Sequence, residues 1–313
     1  MGFVRAGRLA AVVGGVLVVA LSACASPGSV GDGGGLGAPD HQAVEQWAAE
    51  VADAWSPSGE GWSKGFVPLQ SPVTVEGSML EPEKRALAAG WWESAVSLPG
   101  DRPARGTVLF RDGPLPVSVL SAAEAYQKMD LGDPPPCSSE APSPVAPSAG
   151  PDGSVSGPAG GDCVGLTVRG ASLATIEMRT SRGVATVPAW RFQIDGGRAV
   201  LHAAVADPSP APSAAATPSR AAPPGMVAAQ HVTGVDGLEV RYVLGVGACD
   251  REITPLVVER PHVVVVAGGV TRTDGVCTDQ LLLEPVSVAL TDPLGDRPVL
   301  DALTGALLPV GFS

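Results

Sequence analysis

Paired reactive residues are what this sequence lacks. No two cysteines stand in a Cys-x-x-Cys spacing and no two histidines in His-x-x-x-His, so His41, His202, His231 and His262 offer no metal-ligand set. There is no Ser-x-x-Lys pair and no cysteine in a Ser-x-Gly-Cys setting. The usual sequence signatures of penicillin-binding enzymes and wall transpeptidases are therefore missing. Basic clusters are scarce too: 20 Lys and Arg stand against 32 Asp and Glu, a net charge of −12. An acidic chain is repelled by phosphate backbones, which excludes nucleic acid as an expected partner. Aromatic residues are only 4% of the chain, and no cofactor motif appears.

What is present begins at the N-terminus. Arg5 and Arg8 precede an uncharged apolar run over residues 9–21, followed by Leu21-Ser22-Ala23-Cys24. A positive start, a short apolar stretch and small side chains before a cysteine make a secretory signal, and the run is short for a permanent membrane span. Leu-Ser-Ala-Cys resembles a bacterial lipobox. That resemblance implies removal of residues 1–23, a diacylglyceryl group on Cys24 and a protein held on the outer face of the cytoplasmic membrane. An uncleaved anchor with Cys24 an ordinary thiol is the competing reading. Cleavage removes two arginines and no acid, so the net charge falls to −14. The lipid, not a basic patch, then has to hold the membrane.

Four cysteines remain: Cys137, Cys163, Cys249 and Cys277. An even number in an exported chain points to disulfides. Three pairings are formally open; the sequential one, Cys137 with Cys163 and Cys249 with Cys277, closes one loop in each half.

The 40 glycines and 31 prolines far exceed the common background of about 12% for the pair, and they gather in tracts that divide the chain. Residues 24–39 read as a flexible tether. Residues 40–206 read as an α+β domain. It opens with a helix capped by Asp40, in which Val44, Trp47, Ala48, Val51 and Trp55 share one face. Residues 61–76 read as extended pieces broken by prolines. A short helix starts near Glu81 and delivers Trp91 and Trp92, and a hairpin turns at Asp112-Gly113-Pro114. Ser121 and Glu124 form a capping box for a further helix, and alternating strands follow over residues 166–169, 174–179, 185–194 and 199–205. Within this domain, residues 138–161 are too poor in apolar side chains to offset their ordering entropy and are expected to be a disordered insertion. A Pro/Ala/Ser linker is expected over 207–225, then an all-β domain over 226–313, with strands over 238–246, 253–258, 262–267, 280–283 and 286–290, of which the run Val263-Val264-Val265-Val266 suits a fully buried strand. The fold class expected is α+β: a mixed, helix-containing N-terminal part with antiparallel strands, followed by a mainly antiparallel β part.

The two cysteine pairs bracket similar lengths, and each second cysteine is followed by strand-like segments with a glycine turn, which suggests a weak internal duplication. Four segments, Leu21-Ser22-Ala23-Cys24, Gly65-Phe66-Val67-Pro68-Leu69, Ser181-Arg182-Gly183-Val184-Ala185-Thr186-Val187-Pro188-Ala189-Trp190 and Pro293-Leu294-Gly295-Asp296-Arg297-Pro298-Val299-Leu300-Asp301, resemble uncharacterised secreted lipoproteins of high-GC actinobacteria. The likeness extends over most of residues 40–310. It implies envelope localisation and no particular catalytic residue.

Candidate chemistry is thin. Glu81 and Glu83 flank a proline at a helix start, where the helix dipole accounts for them; Asp296 and Arg297 are expected to pair across a turn. Trp62, Phe66, Trp91, Trp92 and Trp190 are the candidates for ligand stacking, should they converge; core packing is their competing role. The expectation is a lipid-anchored, non-catalytic module that binds an envelope protein or glycan. An envelope hydrolase with an unfamiliar site and a solute-binding lipoprotein are the alternatives. Mapping of the exported protein without reductant is expected to find no free thiol at Cys137, Cys163, Cys249 or Cys277; a free thiol at any of them would contradict the disulfide reading.

Overall fold

The computed structural model describes residues 40–57, 59–132, 165–272 and 277–311. The lipobox, the tether, Cys137, Cys163 and the low-complexity insertion lie outside them. The described residues are mostly β with few helices, arranged in three sheets.

Asp40 accepts the Ala43 N–H at 3.1 Å and starts α1 (His41–Ala54), whose Val44, Trp47, Ala48 and Val51 are buried as the spacing predicts. Where extended chain was expected, α2 (Glu60–Lys64) forms one short helix instead. Its ends are joined by a Lys64–Glu60 ion pair at 2.7 Å, and the Ser63 hydroxyl donates to the Gly59 carbonyl at 3.0 Å. The next elements are β1 (Val73–Glu76), α3 (Glu81–Ala89), β2 (Trp92–Ser94), β3 (Gly106–Phe110), β4 (Gly113–Val117) and α4 (Ala122–Met129). The expected capping box is present in α4: the Glu124 N–H donates to Ser121 Oγ at 3.1 Å, and the Ser121 N–H donates to Glu124 Oε2 at 2.8 Å.

The strands expected over 166–169 and 174–179 are one, β5 (Leu166–Thr180), which turns back into β6 (Gly183–Ile194) and then β7 (Ala199–Ala203). Gly183, with φ +88°, takes the left-handed conformation this tight turn requires. β6 is the spine of the first sheet. β5 pairs along it on one side; on the other, β7 and then β1 occupy one end while β3 and β4 occupy the other. A bulge at Arg169 shifts the register between the Val168–Ile194 and Gly170–Gln193 pairs. It reverses the parity of β5. Leu166 and Val168 consequently join Trp92, Trp190 and Phe192 under α3 and α4, while Ile176 and Met178 pack on the opposite side with Phe66, Val108 and Val187.

The rest is a sandwich. β9 (Ala229–Asp236), β10 (Glu239–Gly247) and β13 (Leu281–Ala289) make one antiparallel sheet; β13 joins the two short segments expected there, and β9 had not been expected. β11 (Asp250–Arg260), β12 (Val263–Arg272), β14 (Val299–Asp301), β15 (Leu307–Leu308) and β8 (Met226–Val227) make the other, with β14 parallel to β12. Tyr242 is fully buried between them. Its hydroxyl donates to the Ala267 carbonyl at 2.7 Å and accepts the Leu256 N–H at 3.2 Å, so one side chain of β10 is tied to both β11 and β12. The two cysteine-bracketed halves do not share a strand order: β5, β6 and β7 are successive neighbours in one sheet, whereas β13 and β14 lie in different sheets. The suggested duplication is thereby ruled out.

α1 does not stay with the N-terminal sheet. It covers the outer face of β11 and β12, where Val44, Trp47 and Val51 meet Val258, Val263, Val265 and Ala267. The Trp47 indole N–H donates to the Ala302 carbonyl at 2.9 Å. The segment expected to be a linker straps this arrangement down. The Ser209 N–H bonds the Phe66 carbonyl at 2.8 Å, and the Ala215 N–H bonds Gly305 O at 2.8 Å. Arg220 forks onto Glu50 at 2.7 and 2.9 Å. Small Ala and Ser side chains permit this close approach, which composition alone does not reveal. Residues 66–72 join the halves: Leu69 donates to Arg179 O and accepts from Val310 N, both at 2.9 Å, and Ser71 N donates to Val310 O at 2.8 Å.

Trp47→Ala is expected to cost about 3–5 kcal/mol, the range for removing a buried tryptophan, read as a lower midpoint in urea unfolding. A loss below about 1 kcal/mol would contradict the packing of α1 on β12.

Candidate functional site

The β10–β11 turn is closed by Asp250, whose Oδ2 accepts the Gly247 N–H at 2.7 Å. This holds Cys249 beside Cys277, and the two form a disulfide with Cα atoms 6.0 Å apart. The bond clamps the chain that leads into β13 and sets where that strand begins. Among the described residues β13 pairs with β10 alone and so forms an edge of its sheet. Its ladder is anchored by the Leu290 N–H to Leu238 O bond at 2.7 Å. With the register Leu281–Gly247 through Ala289–Glu239 unbroken, the even residues of β13 bond to β10. The odd ones, Leu281, Leu283, Pro285 and Ser287, turn their backbone polar groups to the free edge.

Leu281, Leu282 and Leu283 are 63%, 39% and 57% exposed. Three successive exposed leucines on a sheet edge are unusual, because edges attract other strands. Three of the other edges are blunted. β4 carries Pro114 and Pro116, β11 carries Pro255 and a register break between Arg251 and Thr254, and β15 has two residues. On β13 only Pro285 interrupts. Beside the leucines lies an open groove of about 350 Å³ lined by Val227, Gly245, Asp250, Arg272, Gln280 and Leu281.

The aromatic residues that a stacking platform would need do not converge, and the competing core role holds for them. Trp62 stacks edge-on to Trp55 at 5.9 Å on the margin of the α1 core, and Phe66 lies under β3 and β6. Trp92 and Trp190 are buried beneath α3 and α4, with Trp91 half-buried at their border. The Trp190 indole N–H donates to Leu120 O at 2.7 Å. They divide among three cores because each sits on an element that must bury its own face. The expected Asp296–Arg297 pairing is also absent; Arg297 reaches Glu259 at 3.0 Å instead. The β5–β6 turn docks on this loop, with Arg179 Nη2 donating to the carbonyls of Gly295 at 2.7 Å and Arg297 at 3.0 Å.

A second open groove, about 520 Å³, is lined by Arg102, Arg105, Pro116 and Val119. Arg102 is already engaged by Glu124, at 2.8 and 2.9 Å, which together with the Ser121 cap lowers the Glu124 carboxyl to about 2. Glu83 caps the Leu80 N–H at 2.8 Å and holds Arg198 at 2.7 Å, while Glu81 pairs with Lys84 at 2.8 Å. Both carboxylates of the Glu81/Glu83 pair thus have structural partners. His41, His231 and His262 are exposed and far apart in the fold, and only His202, on β7, is buried. Among the described residues no three His, Cys, Asp or Glu side chains gather as a metal site, and no helix is long and apolar enough to cross a membrane. Leu281–Leu283 were expected only as strand; the run of leucines was visible, but its exposure depends on which strands flank it. No protein-family model, curated protein or solved structure matches this chain.

Burial lowers the His202 imidazole from 6.5 to about 4. The unfolded chain takes up this proton near pH 6.5 and the folded one only near 4. Stability is therefore full above pH 6.5 and declines as pH falls through that window, by up to about 3 kcal/mol. In urea unfolding between pH 7 and 4, His202→Gln is expected to flatten this decline; an unchanged slope would contradict it.

Proposed function

We propose that this protein is a lipid-anchored, extracytoplasmic lipoprotein that works by binding at the cell envelope, without turnover, and that its binding element is the free edge of β13. The lipobox ending in Cys24 supports the anchor, and the Cys249–Cys277 disulfide suits an oxidising compartment. The head so presented combines an α+β part with a β sandwich. One observation carries the binding role: Leu281–Glu284 is an unblunted stretch of edge strand with three exposed leucines, held in place by a disulfide. Unpaired backbone groups supply affinity for an added strand, and alternate side chains supply selectivity.

This reading favours a protein partner over a glycan, because no aromatic platform forms among Trp62, Phe66, Trp91, Trp92 and Trp190. The actinobacterial lipoprotein resemblance agrees with the envelope location. Labelling with a radioactive fatty acid is expected to mark the wild-type chain and not Cys24→Ser, and purified protein is expected to release no product from wall fragments. Labelling that persists in Cys24→Ser would overturn the anchor; product release would overturn the non-catalytic role.

A further inference from the structure

The geometry points to a second copy of this chain as the occupant of the β13 edge, joined antiparallel across a two-fold axis at Leu282. This rests on reading β13 as the binding element and names its partner. The axis follows from the ladder. Only odd residues of β13 direct their N–H and C=O outward, so a two-fold pairing must set odd residues opposite odd ones. An axis at Leu281 sets Leu283 against Asp279, and one at Leu283 sets Leu282 against Glu284 and Leu281 against Pro285. An axis at Leu282 sets Leu281 against Leu283 twice over. It also places the Gln280 amide opposite the Glu284 carboxylate of the other copy, so no like charges face each other in an otherwise acidic molecule.

In this arrangement Leu281 and Leu283 of each copy exchange both backbone hydrogen bonds with their opposites. The Asp279 N–H reaches the Pro285 carbonyl, and Pro285, which has no N–H to return, marks where pairing ends. The two three-stranded sheets become one of six strands. The same self-complementarity accounts for why this edge keeps three leucines while β4 and β11 carry prolines. A two-fold interface of this kind uses one patch twice and closes on itself, so it makes a dimer rather than a filament.

Sedimentation of the purified protein over a rising concentration series is expected to approach twice its own single-chain mass. The double variant Leu281→Lys, Leu283→Lys should sediment as a single chain and melt at the temperature the wild-type chain shows when diluted to a monomer, since both side chains are exposed. Leu282→Cys should form an intermolecular disulfide under mild oxidation, because directly opposed non-hydrogen-bonded residues bring their Cα atoms to about 4.5 Å. Leu283→Cys, displaced from the axis, should cross-link far less. A single chain at all concentrations with no Leu282→Cys cross-link would overturn the second copy. If the β13 amides of that monomer then gained hydrogen-exchange protection only with added envelope protein, strand pairing at β13 would survive with a different partner. A dimer that persists in the double lysine variant would overturn β13 as the binding element itself.

Discussion

The four valines that open β12 can face water on neither side, and the rest of the molecule is arranged around that constraint. Val264 and Val266 pack against β10, and Val263 and Val265 against α1; all four are fully buried. Each is worth roughly 1.5–3 kcal/mol when taken from water, so a strand with two apolar faces needs two covers. The sandwich supplies one. The other comes from the far end of the sequence, because within 226–311 the remaining elements are strands already committed to the sandwich.

Recruiting α1 has consequences for the chain between. Residues 207–225 have to pass the sandwich, and they do so as a strap that bonds Phe66, Gly305 and Glu50. Residues 66–72 must leave α1 and reach the first sheet, and they pair with β5 on one side and Val310 on the other. The two cores of the first sheet are a separate solution to a similar problem. The bulge at Arg169 lets one long strand serve α3 and α4 at one end and Phe66 at the other. Gly132 and Leu166 both meet the backbone of Trp91, which brings the two described ends of this part together at the sheet.

Stability at the core and exposure at the edge are connected. Tyr242 locks β10 to the facing sheet, and the disulfide fixes the turn after β10, so β13 is held rigidly although only its even residues bond inward. A rigid edge loses little entropy on gaining another strand.

Local features were legible in the sequence because they depend on neighbours a few residues away. The Asp40 and Ser121 caps, the α3 start and the hairpin at Asp112-Gly113 follow from side chains and turns acting on their own or adjacent backbone, and Val263–Val266 as a buried strand from an unbroken apolar run. The charge, the cysteine count and the lipobox likewise need no fold. Tertiary structure decided the rest. A tryptophan at Trp92 or Trp190 reads the same whether it faces a ligand or a helix, and only the sheet beneath α3 and α4 makes it core. Leu281-Leu282-Leu283 reads as interior strand by composition. It becomes an edge because strand order is set by pairings across tens of residues, which no local pattern encodes, and that order left β13 with one neighbour.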